Sequence, residues 1–275
     1  MRLNYQRQGA GEPLVLIHGI GSHWQMWQPV LDALAAHHDV IALDLPGFGD
    51  SPMPPAGTPA GPQSLCELTS SFLSELGIER PHIAGNSLGG LVALELGRAG
   101  RARTVCALSP AGFLNSPETV ATRALLRSTA HLCRWLSPRA NGLIARPRGR
   151  ILLMNAFVAH PDRIPATEAV SMTAAFAQAP WFEATLTATG PWDAARGPIR
   201  SDVPVTLLWG DRDRVLWPWQ GDRAVRLLPG ARLAPLTGCG HVPTFDDPEQ
   251  VSRLMLEATG AAGRRREPTQ AAAGR

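Results

Sequence analysis

A short glycine-rich segment carries the strongest chemical signal in the sequence. It reads Gly85-Asn86-Ser87-Leu88-Gly89-Gly90, and it lies between an apolar run that predicts a strand and a pattern that predicts a helix. A serine on so tight a turn takes a strained backbone conformation, and the residues two before and two after it must be small. Gly85 and Gly89 meet that demand, so the pattern predicts that Ser87 is a nucleophile.

The same turn points the N-terminus of the following helix toward the serine. Backbone N–H groups at a helix N-terminus have no intrahelical acceptor, so they can stabilise developing negative charge. We expect the N–H of Leu88 to be one donor of an oxyanion hole.

A serine hydroxyl becomes an effective nucleophile when a base accepts its proton. Of the eight histidines, His241 lies in a glycine-containing loop after the last predicted strand and before the last predicted helix. His241 is therefore the candidate base. A carboxylate that accepts the other ring N–H would orient this histidine. Asp211 and Asp213, which follow the strand predicted at 205–209, are the two candidates.

Three further segments, taken with the serine turn, resemble the α/β-hydrolase superfamily. They are His18-Gly19-Ile20-Gly21, the D-x-x-G-x-G-x-S run from Asp44 to Ser51, and the W-G-x-x-D run from Trp209 to Asp213. The resemblance implies the chain order nucleophile, acid, base, and it favours Asp213 over Asp211. It also implies that the backbone N–H of Ile20 is the second oxyanion donor.

Two other polar residues near these motifs are interpreted as structural. His18 is not needed as a base because His241 is better placed, and an Asx turn that holds the glycine-rich loop explains Asp44. The resemblance implies that the reaction needs neither a metal nor an organic cofactor. Relatives that open epoxides or displace halide use aspartate at the nucleophile position, so Ser87 disfavours those activities.

The elements that must position these residues alternate along the chain. Apolar runs predict strands at 14–18, 40–45, 82–86, 104–109, 205–209 and 232–236, with an antiparallel edge strand at 3–8. Helical patterns cover 24–36, 64–76, 88–98, 219–228 and 248–259. This alternation is typical of an α/β fold. The resemblance implies a mostly parallel sheet of the eight-stranded type, flanked by helices.

The alternation stops in the middle of the chain. Residues 115–198 show successive helical patterns without a convincing strand, and prolines interrupt them. We therefore predict a hydrolase core formed by 1–114 and 199–259, with 115–198 as an inserted helical cap or lid. Residues 260–275, rich in Ala, Gly and Arg, predict a disordered tail.

Composition narrows the classes of partner and location. The sequence lacks an apolar run long enough to cross a bilayer and a secretory signal, and its four cysteines show no metal-like spacing. We expect a cytoplasmic monomer or homodimer without stable membrane insertion. The formal charge of +3 does not indicate nucleic-acid binding. Ten arginines against five acids between Asn115 and Arg200 favour a solvated exterior, with an anionic substrate or a phospholipid surface as the second interpretation.

The expected substrate is a small to medium carboxylic ester with a largely apolar acyl group. The candidate pocket residues are Gly19, His23, Asn86, Trp135, Phe157, Trp181 and Val242. The G-N-S-x-G-G turn also resembles hydrolases that cleave carbon–carbon bonds in ring-fission diketones, although those relatives usually carry tryptophan after the base, where this chain has Val242. Thioester hydrolysis and perhydrolysis would use the same residues and are alternatives, as is a low-turnover binding protein of this fold, against which the complete set of catalytic motifs argues.

Overall fold

A seven-stranded sheet forms the centre of the fold. The computed structural model describes residues 1–136, 140–193 and 196–261. The strands lie in the order β1-β3-β2-β4-β5-β6-β7. They are β1 Tyr5–Gly9, β2 Pro13–Ile17, β3 Asp39–Leu43, β4 His82–Asn86, β5 Thr104–Leu108, β6 Val205–Gly210 and β7 Arg232–Leu236. Strand β1 pairs antiparallel with β3 and every other neighbouring pair is parallel, which confirms the predicted mostly parallel sheet.

The strand count differs from the eight-stranded type that the resemblance implies. Only β1 precedes β2 in the described residues, and it lies at the edge of the sheet as an antiparallel strand. The predicted edge strand is therefore correct in kind, while the sheet has one strand fewer than expected. The short run ahead of β2 provides a single strand and its turn.

Helices cover both faces of the sheet. They are α1 Gln28–Ala35, α2 Pro62–Glu75, α3 Leu88–Arg98, α4 Ser116–Leu136, α5 Ala140–Ile144, α6 Pro147–Met154, α7 Ala166–Gln178, α8 Phe182–Ala188, α9 Trp219–Leu227 and α10 Pro248–Ala258. In β2, Leu14 and Leu16 pack with α1 and α10, whereas Val15 and Ile17 pack with α2 and α3. Apolar side chains on both faces explain why this strand is a continuous apolar run.

The segment between β5 and β6 is helical, as its sequence predicts. Its described residues form α4 to α8 and a 3-10 turn at Pro161–Arg163, without a strand. Asn115 and Glu118 bond each other's backbone N–H and begin α4, and Pro147 occupies the first turn of α6. The role of the segment as a cap stays a prediction. The predicted tail lies outside the described residues from 262 onward.

The helices differ from membrane-spanning ones in length or polarity. Within residues 1–136, 140–193 and 196–261, every helix is too short or too polar to span a bilayer.

A buried carboxylate holds the loop that follows β3. Asp44 Oδ1 accepts the Trp24 backbone N–H at 2.7 Å, and Oδ2 accepts the Asn4 side-chain amide at 2.8 Å and the Asp50 backbone N–H at 2.9 Å. Gly49 approaches so closely that a Cβ there would overlap the Asp44 carboxyl group. These contacts agree with the structural interpretation of Asp44.

We expect Asp44→Ala to lower the free energy of unfolding by about 3 kcal/mol, because it leaves three donors without their acceptor. Urea unfolding at neutral pH measures the change. The exposed Asp50→Ala variant is the control and should lose about 0.5 kcal/mol or less. Equal losses in the two variants would contradict the structural role of Asp44.

Candidate active site

Ser87 lies at the turn between β4 and α3. Its φ of 56° and ψ of −115° are strained for a residue with a side chain. A Cβ at Gly85 would overlap the Gly89 carbonyl oxygen, and a Cβ at Gly89 would overlap the carbonyl oxygens of Ile17 and His18. The two glycines therefore allow the turn to close tightly against the end of β2. This geometry is the one that the G-x-S-x-G spacing predicts.

Asp213 and His241 form a buried hydrogen-bonded pair. Asp213 Oδ2 lies 2.8 Å from His241 Nδ1. Asp213 Oδ1 accepts the backbone N–H groups of Val215 at 2.9 Å and Leu216 at 2.8 Å. With Nδ1 bound to the carboxylate, Nε2 is the ring nitrogen left for proton transfer. His241 and Ser87 line the same cavity.

The rival acid has a different contact. Asp211 Oδ1 accepts the Gly238 backbone N–H at 2.8 Å and lies in the exposed part of the loop. Asp213, by contrast, is only 2% exposed. The structure therefore places Asp213 beside the histidine and Asp211 in a turn that shapes the histidine loop.

The loop after β2 passes directly beside Ser87. A Cβ on Gly19 would lie 3.3 Å from Ser87 Cβ, so only a residue without a side chain fits there comfortably. Ile20 lines two cavities that meet at Ser87, and Leu88 lines one of them. Leu88 is also the first residue of α3, where the backbone N–H lacks an intrahelical acceptor. Both predicted oxyanion donors thus belong to residues that adjoin the serine.

His18 orients this loop from beneath. Its Nε2 accepts the Leu45 backbone N–H at 2.9 Å, so Nδ1 carries the proton and donates to the Gly19 carbonyl oxygen at 2.7 Å. The C=O of Gly19 and the N–H of Ile20 belong to one peptide plane and point in opposite directions. Fixing the carbonyl of Gly19 therefore also fixes the direction of the Ile20 N–H.

The environment keeps His18 neutral. Burial lowers the pKa of His18 to about 4, although the nearby Asp44 carboxylate opposes the shift. Its two ring nitrogens are both engaged, so it cannot act as a base. This agrees with the interpretation of His18 as a structural residue.

Two side chains that hold the His241 loop carry no motif that identifies this role. Asn86 Nδ2 donates to the His241 carbonyl oxygen at 2.8 Å and to the Leu108 carbonyl oxygen at 3.2 Å. Asp246 Oδ2 accepts the Gly240 backbone N–H at 2.8 Å, and its Oδ1 accepts the His160 backbone N–H at 2.7 Å. The sequence pattern predicts Asn86 as a pocket residue, but it does not reveal Asp246, whose partners are distant along the chain.

The first cavity extends from Ser87 beneath α4 and holds about 890 Å³ of space, its open mouth included. Helix α4 contributes one face to its wall, formed by Leu126, Thr129, Leu132, Cys133 and Leu136. Since an α-helix rises about 1.5 Å per residue, this wall is about 15 Å long. Its other apolar lining residues include Leu153, Met154, Met172 and Phe176.

Four of the seven predicted pocket residues line this cavity, namely Gly19, Asn86, Phe157 and Val242. The other three lie outside the lining of this cavity. His23 bonds Ser171 at 3.0 Å beside a separate polar cavity, Trp135 is 67% exposed, and Trp181 packs on Gly47. Trp135 faces outward because the α4 face with Leu126, Thr129 and Cys133 faces the cavity.

The α4 lining is not among the residues that the sequence predicts. Its three- and four-residue spacing indicates a buried helix face, but ordinary core packing produces the same pattern. Cys133 is in this lining, and burial raises the pKa of its thiol to about 11. The thiol therefore stays protonated near neutral pH, which disfavours Cys133 as a nucleophile.

A second, smaller cavity lies on the other side of the serine. Ser87, Ile20 and Leu126 line both cavities. The second cavity is bounded further by α4, α8, the loop after β5 and the loop after β6. These elements contribute Ala111, Thr119, Thr122, Leu186 and Val215, among others. A substrate with two arms could therefore place its reacting atom at Ser87 and one arm in each cavity.

Comparison with known proteins gives the family. A family model described as the alpha/beta hydrolase family matches residues 14–254. The chain belongs to the alpha/beta hydrolase family. This alpha/beta hydrolase is 31% identical over 268 residues to RutD of Pseudomonas savastanoi pv. phaseolicola, named provisionally as a carbamate hydrolase, with 92% of this chain and 96% of the relative covered.

Other relatives differ in their named activities. Epoxide hydrolase EphH of Mycobacterium tuberculosis is 35% identical over 201 residues, which cover 70% of this alpha/beta hydrolase and 91% of the relative. A thermophilic esterase from Thermogutta terrifontis has the same fold, with a TM-score of 0.71, 22% identity, and coverage of 95% of this chain and 94% of that chain. These three proteins are named as hydrolases, while their names do not agree on a substrate.

The side chains that commonly bind metals are dispersed. Among the described residues of this alpha/beta hydrolase, no three His, Cys, Asp or Glu side chains are grouped so that they could hold a metal ion.

The pKa of His18 predicts how stability changes with pH. Unfolding raises this pKa from about 4 to an ordinary value near 6.5, so the stability that neutral His18 provides is complete above about pH 6.5 and is lost as the pH falls toward 4. We expect this residue alone to lower the free energy of unfolding by about 2 kcal/mol between pH 7 and pH 5.

Urea unfolding of wild type and His18→Gln at these two pH values measures the effect. The variant should show a smaller pH dependence, whatever its stability at pH 7. The exposed His131→Gln variant is the control and should keep the wild-type dependence. An unchanged dependence in His18→Gln would rule out a buried neutral imidazole.

Proposed function

We propose that this alpha/beta hydrolase cleaves a carboxylic ester through an acyl-enzyme intermediate on Ser87. The buried Asp213–His241 pair, whose histidine lines the same cavity as the strained serine, carries the proposal. Asp213 orients the imidazole so that Nε2 is free to accept the serine proton. Its carboxylate also stabilises the imidazolium that forms. The acid, base and nucleophile come from the loops after β6, β7 and β4.

The reaction has two halves. His241 accepts the proton of Ser87 Oγ as that oxygen attacks the ester carbonyl, and the backbone N–H groups of Ile20 and Leu88 stabilise the oxyanion. The imidazolium then protonates the departing alcohol, which leaves the acyl group on the serine. Water repeats the cycle with His241 as base, releases the carboxylic acid and restores the free serine.

The two cavities support the proposed substrate class. The first cavity is lined mostly by apolar side chains and is long enough for an extended acyl chain of medium length, so we assign it the acyl group. The smaller second cavity takes the alcohol. In this proposal α4 and α7 act as the cap that covers the serine, consistent with the proposed division into a core of 1–114 and 199–259 and a cap of 115–198. A cytoplasmic location stays a prediction.

Activities other than ester hydrolysis are less well supported. Opening an epoxide, the activity named for EphH, uses an aspartate nucleophile in the family, whereas this chain has Ser87. The apolar cavity suits a small polar carbamate poorly. Val242 after the base weakens the case for carbon–carbon cleavage. Asn86, the other residue behind that interpretation, has a structural use in holding His241. Thioester hydrolysis, perhydrolysis and low-turnover binding would use the same residues. The turnover measured with each substrate distinguishes them from ester hydrolysis.

A panel of p-nitrophenyl esters tests the nucleophile. Wild type should hydrolyse the butyrate and octanoate esters, and Ser87→Ala should lose about a thousandfold or more in kcat because no acyl-enzyme can form. The exposed Ser128→Ala variant is the matched control and should keep wild-type activity.

A thioester, a carbamate and a ring-fission diketone belong in the same panel. Circular dichroism must show that Ser87→Ala is folded. Equal activity of wild type and Ser87→Ala would disprove the serine mechanism. Faster turnover of the diketone or the carbamate than of every ester would replace the proposed substrate class, and acylation without turnover would favour the binding protein.

Cavity filling tests the acyl assignment. Cys133→Phe places a ring in the first cavity, so we expect kcat/KM for the octanoate ester to fall at least about tenfold while the acetate ester changes less than about threefold. Cys133→Ser, which leaves the space open, should retain the chain-length preference. An equal fall in kcat/KM for all the esters would indicate that the acyl group does not occupy the first cavity.

A further inference from the structure

We propose that the surface around the end of α4, α5 and α6 docks this protein on an anionic phospholipid bilayer. The surface contains five exposed apolar side chains, which we call the rim patch: Leu132, Trp135, Leu143, Ile151 and Leu152. The proposal concerns where the enzyme works, and it can be tested without catalysis.

The rim patch is unusual in the size of its exposed side chains. Trp135 is 67% exposed and Leu152 is 76% exposed. Single exposed apolar residues are common on soluble proteins, but a group of them on neighbouring helices indicates an interaction surface. Helices α5 and α6 contact each other, and α4 and α6 line the same cavity, so the three helices that carry these side chains are neighbours.

The rim patch adjoins the mouth of the first cavity. Leu132 is 41% exposed and also lines that cavity, so the cavity reaches the surface at this residue. Trp135 follows it by three residues on α4, on neighbouring positions of the helix surface. Leu153, next to the exposed Leu152, lines the cavity from α6. Apolar molecules at this surface would therefore meet the route to Ser87.

Three exposed arginines lie on the helices that carry the rim patch or directly before one of them. Between Thr119 and Pro161 the sequence contains seven arginines and no acidic residue. Arg134, Arg146 and Arg148 are exposed, and none of them pairs with an acid within the described residues. Glu183, which Arg134 influences electrostatically, already pairs with Arg127 at 2.6 Å.

The arginines and the apolar side chains of the rim patch together favour one kind of binding partner. Two copies that met through the same patch would bring their arginines together without acids to offset them, which disfavours a symmetric dimer. A nucleic acid would satisfy the arginines but leave the exposed leucine and isoleucine side chains unused. An anionic bilayer satisfies both, because lipid headgroups attract the arginines while the apolar side chains insert at the acyl boundary.

Co-sedimentation with vesicles tests the proposal. Full-length protein carrying Ser87→Ala is mixed with vesicles of phosphatidylcholine alone, or of phosphatidylcholine with about one third phosphatidylserine. We expect binding to the anionic vesicles at least about tenfold tighter than to the neutral ones, and weaker at higher salt. Equal binding to both vesicles, or to neither, would overturn the proposal.

Two sets of variants separate the contributions of the patch. Trp135→Ser with Leu152→Ser, and Arg134→Gln with Arg146→Gln and Arg148→Gln, should each weaken binding to anionic vesicles at least about tenfold. Arg226→Gln with Leu227→Ser is the matched control, since both residues are exposed on α9 in the core. Vesicle binding that is unchanged in both patch variants, or reduced equally in the control, would contradict docking through the rim patch.

Two further measurements distinguish the remaining outcomes. In an active background, Trp135→Ser with Leu152→Ser should hydrolyse soluble p-nitrophenyl butyrate at the wild-type rate, because neither residue lines the cavity. Loss of vesicle binding with that activity intact supports the proposal, and failure of the ester assay alone affects only the proposed function. Binding to single-stranded DNA as tight as to anionic vesicles, reduced by the arginine substitutions but not by the apolar ones, would replace the bilayer with a polyanion.

Discussion

The close approach of three backbone segments at Ser87 constrains the rest of the structure. The turn between β4 and α3 packs so tightly against the end of β2 that Gly85 and Gly89 leave no space for a Cβ. This contact fixes the serine in its strained conformation, presents the first N–H of α3 and brings the loop with Ile20 alongside. Because strands β2 and β4 are neighbours in a parallel sheet, the required approach follows from the fold. Neutral His18 then fixes the direction of the loop from within the core.

The position of His241 depends on contacts from several parts of the fold. Asp213 holds its ring, Asn86 holds its carbonyl oxygen and Asp246 holds the backbone N–H of the preceding residue. Asp246 also bonds the backbone of residues 159 and 160 in the helical segment. The histidine loop therefore connects the end of β4, the Asp213 loop and the helical segment between β5 and β6. Its precise placement is a property of the whole assembly, since each partner fixes a different atom of the loop.

The sequence predicted those parts that depend on local chemistry. Apolar runs located the parallel strands, and the glycine spacing located Ser87, because a Cβ at those positions would have no space. Contacts between residues that are far apart along the chain were harder to predict. Asp246 carries no motif because its partners, near residues 159 and 240, come together only in the folded chain. Trp135 and Leu126 both lie on an amphipathic helix, and only the packing of α4 decides that Leu126 faces the cavity while Trp135 faces outward. Aromatic size alone was therefore a poor guide to the pocket.

Helix α4 connects three features of the molecule. Near its start, Glu118 pairs with Arg223 at 2.6 Å, and Thr122 donates to the Val215 carbonyl oxygen at 3.1 Å, beside the loop that holds Asp213. Its middle forms the long wall of the first cavity, and its end carries part of the rim patch. A displacement confined to its end would change the cavity mouth about 15 Å from Leu126, while the contacts beside Asp213 stayed in place. The cavity mouth and the contact beside the Asp213 loop can therefore respond to different forces, because they lie at opposite ends of α4.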